Sequence, residues 1–173
     1  MGQLISYTSP IGGDQGLIIE PNPAVVFSSI GTVVQNAALM VKFRLSKPAL
    51  ISKIAIFVGT AAGNLDVGVY SLIGSTYTML GHSGATAAAG TNAIQELTML
   101  ANISLAPGID YWATFASDSA TVQILRQSMG AAAAGGYSGA ILTKTSHYSS
   151  GLSNITAPAT NTVAPWFALT SAV

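Results

Sequence analysis

Cysteine is absent from this chain, and charged residues are scarce. Without cysteine, the 173 residues have no disulfide, no thiolate metal ligand and no cysteine nucleophile, so the fold depends on its core alone. Charged side chains make up 7% of the sequence, against about 25% in ordinary soluble domains, and six basic residues balance six acidic ones. A neutral surface of this kind favours a chain that packs against neighbouring subunits.

Basic residues are also too few to indicate a nucleic-acid partner, since affinity for phosphates depends on clustered Lys and Arg. The one local group includes Lys42 and Arg44, which fall on the outward face of a predicted strand. Long apolar runs are lacking as well. No stretch approaches a membrane span, and the N-terminus lacks the basic and apolar regions of a secretory signal. We therefore predict no nucleic-acid partner and no membrane association.

Alternating apolar and polar residues fill the chain from Ala38 to Tyr70. Leu39, Val41 and Phe43 share one face of an extended segment, which is the two-residue period of a half-buried strand. Similar segments follow at a spacing of about 8 to 12 residues, which is typical of a sandwich or barrel. We predict strands near residues 38–45, 50–58, 65–72, 76–81, 93–100, 109–117, 120–126, 139–145 and 164–171.

Glycine and proline divide the chain into two parts. Residues 1–37 are rich in both and are predicted to form an extended N-terminal arm or edge strands, because proline cannot donate to a sheet ladder. Such an arm can dock on a neighbouring subunit. Two alanine tracts bracketed by glycine, residues 84–90 and 130–136, are too short for stable helices and are predicted to be loops. Residues 38–173 then form one all-β domain, an antiparallel, jelly-roll-like β-sandwich.

Residues suited to catalysis do not assemble into a recognisable motif. Ser83 follows His82 in a setting that superficially matches a nucleophile elbow, but the second glycine is replaced by alanine and no helix follows. A hairpin or loop is the favoured interpretation. Asp66, Asp110 and Asp118 lie near turn signals, and turn-forming hydrogen bonds explain them. We predict no catalytic residue.

Metal and cofactor motifs are similarly lacking. No His or acid cluster has ligand spacing, and no phosphate-binding glycine loop occurs between a strand and a helix. A loop calcium ion held by Asn64, Asp66 or backbone carbonyls stays an open alternative. The sequence predicts neither a metal site nor a cofactor.

Aromatic side chains are the best candidates for contact. Exposed Trp and Tyr commonly stack on sugar rings, whereas buried ones anchor a core or a subunit interface, and the second interpretation is favoured here. Trp112 alternates with core-facing residues, so it either packs in a second layer or marks a contact. The candidate contact residues are Trp112, Tyr137, Tyr148 and Trp166.

Three segments carry a family resemblance. Residues 57–70 read FVGTAAGNLDVGVY, residues 105–113 read LAPGIDYWA, and residues 164–169 read APWFAL. They resemble β-sandwich modules of tailed-bacteriophage virion proteins, which include capsid decoration or cement proteins, head fibres and tail-associated proteins. The resemblance covers residues 38–171 and leaves open which virion part is served, because such modules are reused. Residues 1–37 match no module of this kind.

The resemblance implies a non-enzymatic structural protein on the capsid surface of a virion. Its partners would be the major capsid protein and further copies of itself, as a homotrimer or another homo-oligomer, and its action would be to decorate or cement the head. The alternative is a receptor- or carbohydrate-binding module of a tail or head fibre, with a glycan as its partner. The resemblance brings no catalytic residues with it.

Overall fold

All the regular secondary structure of the described residues consists of antiparallel β-strands, and these residues contain no helix. The computed structural model describes residues 17–19, 29–45, 47–128, 141–145, 147–148 and 151–171. The strands are β1 (Leu17–Ile19), β2 (Ser29–Thr32), β3 (Ala38–Arg44), β4 (Ala49–Thr60), β5 (Asn64–Ile73), β6 (Thr76–His82), β7 (Thr86–Ala87), β8 (Thr91–Leu105), β9 (Asp110–Ser117), β10 (Gln123–Ser128), β11 (Ile141–Lys144), β12 (Ile155–Thr156), β13 (Ala159–Thr160), β14 (Val163–Pro165) and β15 (Phe167–Ser171). The predicted all-β, sandwich-like fold is confirmed.

The strands form two sheets. In sheet A, β4 pairs along one edge with β8 and along the other with β15 near its start and β10 near its end. β1 extends this sheet beside β15, and β2 and β14 pair with β10. Sheet B has the order β12-β6-β5-β9-β3-β11-β13, and β7 pairs with β5.

The main core lies between the two sheets. Alternate residues of the long strands point into it, as the two-residue period predicts. Its members include Leu39 and Phe43 of β3, Ile54, Ile56 and Val58 of β4, Val67 and Val69 of β5, Tyr111 and Phe115 of β9, and Phe167 and Leu169 of β15. Both sheets therefore turn one apolar face inward.

Part of the outer face of sheet B is buried as well, which differs from the half-buried strands that the alternation predicted. Met40, Tyr70 and Trp112 point away from the main core, yet each is at most 5% exposed. A stretch that we call the cover segment, residues 147–148 and 151–156, lies over them through Tyr148, Leu152 and Ile155. Sheet B is therefore the middle layer of this region.

Glycine makes room for the cover segment. A side chain at Gly68 would come within 3.0 Å of Leu152 Cδ1 and of the Gly81 carbonyl oxygen. Only a residue without Cβ lets Leu152 lie directly against β5. The cover is thus fitted to the strand that it buries.

β8 is longer than predicted because a bulge interrupts its pairing with β4. Ile51 pairs with Ile103 while Lys53 pairs with Thr98, so four residues of β8 lie opposite a single residue of β4. Residues 100–102 are all exposed, which breaks the alternation from which strand ends were predicted. Bulges of this kind also bend a strand and interrupt its free edge.

Several predicted segments occur close to their expected places, and the others are short additions. β1 and β2 lie at the edge of sheet A, and the rest of residues 1–28, on which the predicted arm depends, lies outside the described residues. The first alanine tract contains only the two-residue strand β7, and the second, residues 130–136, lies outside the described residues. β12 and β13, two residues each, were not predicted, because two residues carry no periodicity.

Candidate contact surfaces

A row of apolar side chains crosses the outer face of sheet A. Phe57 of β4 pairs with Ile94 of β8, and Leu125 of β10 pairs with Ile30 of β2. β10 pairs with β4 as far as Ile124 and Val58, and the backbone of Trp166 then bonds to Leu125 beside Phe57, which connects the two pairs. Their strand neighbours Ile56, Val58 and Ile124 belong to the main core, so the row points outward. We call Ile30, Phe57, Ile94 and Leu125 the sheet A stripe.

Part of the sheet A stripe is open to solvent. Ile30 and Ile94 are 43% and 40% exposed, and Phe57 and Leu125 are half-buried. A side chain at Gly59 would collide with Ile30 Cγ2, so the glycine allows Ile30 to lie across β4. The stripe is therefore a continuous apolar surface rather than four scattered side chains.

Charges beside the sheet A stripe are paired within the chain. Lys53 Nζ lies 2.9 Å from Glu96 Oε2, on the same outer face and two residues along β8 from Ile94. At the other side, Thr60 Oγ1 donates to Gln123 Oε1 at 2.9 Å. An exposed ion pair of this kind adds little stability, but it places opposite charges side by side next to the stripe.

A second apolar surface lies at the end of sheet B where β4 begins. Ile73 is 62% exposed at the β5–β6 hairpin, beside the equally apolar Leu72. Ser71 pairs with Tyr111, and continuing this register places Ile73 opposite Ile109, which is 47% exposed. We call Leu72, Ile73 and Ile109 the hairpin tip. Exposed apolar clusters of this kind mark interaction sites more often than single exposed side chains do.

Two of the four predicted contact residues lie in the interior. Trp112 is 5% exposed and stacks edge-on against Tyr77, with 4.9 Å between ring centroids. Tyr148, 1% exposed, packs in the same outer cluster of sheet B. Of the two interpretations of Trp112, the structure has the second layer of packing. In this conformation neither side chain is open to a partner.

The other two candidates differ. Trp166 is half-buried, and its backbone N–H donates to the backbone carbonyl of Leu125 at 3.0 Å. Since Phe167 points into the core and pairs with Ile56, alternation places Trp166 on the outer face of sheet A, next to Phe57. Trp166 therefore borders the sheet A stripe. Tyr137 lies outside the described residues.

A buried carboxylate holds the cover segment to sheet B. Asp66 has no exposed surface, and its oxygens lie 2.8 Å from His82 Nδ1 and 2.9 Å from the donating N–H of Leu152. Ser83 Oγ donates to the same carboxylate at 3.0 Å and accepts the Val67 N–H. The interpretation of Asp66 as a turn residue is therefore wrong, since Asp66 lies within β5. Its hydrogen-bond partners come from the end of β6, from the residue that follows it and from the cover segment.

The geometry of this polar cluster differs from that of a catalytic relay. In a serine hydrolase, the nucleophilic serine bonds to the imidazole, which in turn bonds to the acid. Here Ser83 and His82 both contact Asp66, and Ser83 is 6% exposed beneath the strand ends. The cluster is arranged to satisfy a buried charge with hydrogen bonds.

The two other acids have equally local roles. Asp118 accepts the backbone N–H and the side-chain amide of Asn64, each at 2.7 Å, and these bonds lower its pKa. Asp110 is the first residue of β9 rather than a turn residue, and Arg44 lies 2.7 Å from its carboxylate and lowers its pKa.

The two side chains suggested as calcium ligands have separate partners within the chain. The Asn64 side-chain N–H donates to Asp118, and the Asp66 carboxylate is bonded by His82, Ser83 and the Leu152 N–H under the cover segment. In the described part of the chain, no group of three or more His, Cys, Asp or Glu residues is placed to hold a metal ion.

The interior offers little space. A cavity of about 10 Å³ lies between the sheets and is lined by apolar residues such as Ile54, Val67 and Phe167. That volume is close to what a single water occupies, so a small-molecule ligand does not fit there. Among the described residues there is also no helix of the length and apolarity that a membrane crossing requires.

Comparison with known proteins adds no relative. No protein-family model, no curated protein and no solved structure matches this chain. Its function must therefore be argued from its own surfaces.

The sheet A stripe was missed at the sequence level. Residues 54–58 read IAIFV, a continuous apolar run rather than a strict alternation. Such a run indicates a strand with apolar contacts on both faces. It was the available signal for Phe57, whereas the pairing of Phe57 with Ile94 and its approach to Leu125 depend on strand order.

Proposed function

We propose that this chain is a non-enzymatic structural protein of a phage virion, which decorates or cements the capsid through subunit contacts. The observation that carries the proposal is the presence of two separate apolar surfaces, the sheet A stripe and the hairpin tip, on a chain with very few charges. A protein that joins neighbours needs at least two contact surfaces. The resemblance of its sequence segments to virion modules supplies the class of assembly.

The two surfaces are far enough apart to reach different neighbours. The hairpin tip lies at the end of the sandwich where Ala49 pairs with Leu105, whereas the sheet A stripe crosses β4 at Phe57. Eight residues of extended chain separate these positions, which corresponds to about 26 Å. One subunit can therefore touch two partners at once without the contacts competing.

Such a protein acts through many weak contacts. Each exposed apolar side chain that becomes buried contributes about 1 to 2 kcal/mol at most. Repetition over a symmetric shell makes successive contacts intramolecular, so the total attachment can exceed any single contact by orders of magnitude. The absence of net charge means that closely spaced copies do not repel one another.

The proposal is tested by adding the purified full chain to capsids that lack it, followed by sedimentation and imaging. We expect regular density over the shell and greater resistance of the shell to heat. The variant Ile73→Ser/Ile109→Ser should weaken shell binding by about tenfold, since it removes two exposed apolar side chains from the hairpin tip. Val34→Ser removes an equally exposed apolar residue elsewhere and should bind normally.

Absence of shell binding, or density confined to the tail, would contradict the cement role. It would favour the alternative, a receptor- or carbohydrate-binding module. One feature supports that alternative: Trp166 is partly exposed on a flat sheet face beside Phe57, a setting in which sugar rings stack. Glycan binding that is lost in Trp166→Ala would then be the expected result.

A further inference from the structure

We propose that the sheet A stripe is a self-association surface, on which two copies of this chain stack face to face about a two-fold axis. The inference rests on the proposed structural role and names the partner of one of its two surfaces. It concerns the residues Ile30, Phe57, Ile94 and Leu125, with Trp166 at the border.

The outer faces of the two sheets differ in how far they are covered. On sheet B the outward residues Met40 and Tyr70 are fully buried, because the cover segment lies over them. On sheet A the outward residues Ile30 and Ile94 keep about two fifths of their surface in solvent. The face of sheet A thus has the apolar side chains of a packed layer without the same degree of covering.

The charges beside the stripe are compatible with a second copy as the partner. A two-fold interface brings the same patch of both subunits together, so any net charge in the patch meets its own sign. Beside the stripe, Lys53 and Glu96 form a neutral pair at 2.9 Å, and Thr60 and Gln123 form an uncharged one at 2.9 Å. The patch is therefore self-compatible. A nucleic acid or another strongly charged partner would find no complementary field there.

The extent of the stripe bears on how tightly two copies would associate. It crosses β8, β4, β10 and β2, a width of about 14 Å at the usual strand spacing. Two sheet faces pack at a separation of about 10 Å with their strands about 30° apart in the aligned arrangement of β-sandwiches. The surface area of a patch of this width is smaller than the area that a standard specific interface buries. The dimer should therefore be weak and dependent on concentration.

The test is sedimentation velocity of the full chain over a series of concentrations, from about 10 μM to about 1 mM, a range that brackets a weak dimer. We expect the wild type to shift from monomer to dimer. Phe57→Ser/Ile94→Ser should weaken association at least tenfold. The hairpin-tip variant Ile73→Ser/Ile109→Ser is the matched control and should associate as the wild type does.

A variant that fails to fold is recognised by circular dichroism, and the single change Ile94→Gln then serves instead, because Ile94 is already 40% exposed. A wild type that stays monomeric throughout the series overturns the inference, as does an equal loss of association in the hairpin-tip variant. Failure here is distinct from failure of the cement role. If the protein is a monomer and still binds capsids, the self-association surface is contradicted and the cement role is supported. If it forms the dimer but binds no capsid, the cement role is contradicted and the self-association surface is supported.

Discussion

At the scale of single residues, the interior of sheet B is organised by polar groups that differ in how well they are satisfied. Asp66 receives bonds from His82, Ser83 and Leu152, so its burial is compensated. Tyr70 donates its hydroxyl to the Ser153 carbonyl at 2.9 Å. The hydroxyl of Tyr148, buried in the same cluster, has no hydrogen-bond partner among the residues that the structure describes.

This difference between the two tyrosines predicts opposite effects of the same change. Tyr148→Phe removes an unsatisfied buried hydroxyl and should raise the free energy of unfolding by about 1 kcal/mol. Tyr70→Phe removes the hydroxyl that donates to the Ser153 carbonyl, and this carbonyl then lacks its donor. The change should lower the free energy of unfolding by about 1 kcal/mol. Urea denaturation of both variants and the wild type at neutral pH measures the two values. Destabilisation by both changes would show that the Tyr148 hydroxyl is bonded.

At the scale of elements, the cover segment decides whether sheet B has one buried face or two. It is attached by the Leu152–Asp66 bond, by pairing of Ile155 with Tyr77, and by the bond from the Met79 N–H to Asn154. Its apolar side chains bury the outer cluster of sheet B. A mostly irregular segment that ends in the short edge strand β12 thus performs the task that a further sheet would perform in a three-layer fold.

Leu152→Ala should therefore destabilise the protein although it lies outside any strand. Its side chain is 5% exposed and lies against Gly68, so truncation leaves a cavity and should cost about 2 to 4 kcal/mol. Leu100→Ala, at a position 71% exposed, is the control and should change stability by less than about 0.5 kcal/mol. Thermal unfolding of the two variants gives the comparison. Equal effects would mean that the cover is not part of the cooperative fold.

At the scale of the whole molecule, neutrality and the two apolar surfaces govern behaviour near neutral pH, whereas buried tyrosines govern it in alkali. Burial, followed by the nearby carboxylate of Asp66, raises the pKa of Tyr148 from 10.0 to about 12 and also raises the pKa of Tyr70. Above pH 10 the unfolded chain loses these protons while the folded chain keeps them. Stability must then fall as pH rises.

The free energy of unfolding should thus decrease between pH 10 and about 12, by at most about 1.4 kcal/mol per pH unit for each buried tyrosine. Tyr148→Phe should have a shallower decline, because only the tyrosines that remain contribute. Urea denaturation at a series of pH values from neutral to alkaline measures the slopes. Identical slopes for the variant and the wild type would contradict the burial of an ionisable Tyr148.

Periodicity along the chain was sufficient to predict the fold class and the positions of the main strands. The alternation at Leu39, Val41 and Phe43 has one physical meaning, a strand with an apolar face, and it needs no knowledge of neighbours. Composition likewise determined the neutral surface. The sequence did not determine where the strands end when a bulge intervenes, as in β8, because bulged residues break the period that identifies a strand.

Tertiary structure decided what lies on the second face of each sheet. Met40 and Trp112 are buried because the distant cover segment lies over them, whereas Ile30 and Ile94 stay open at the outer face of sheet A. Asp66 became a structural anchor only because His82, Ser83 and Leu152 converge on it from separate elements. Periodicity reports which residues share a face of one strand, but strand order and loop placement decide what that face meets.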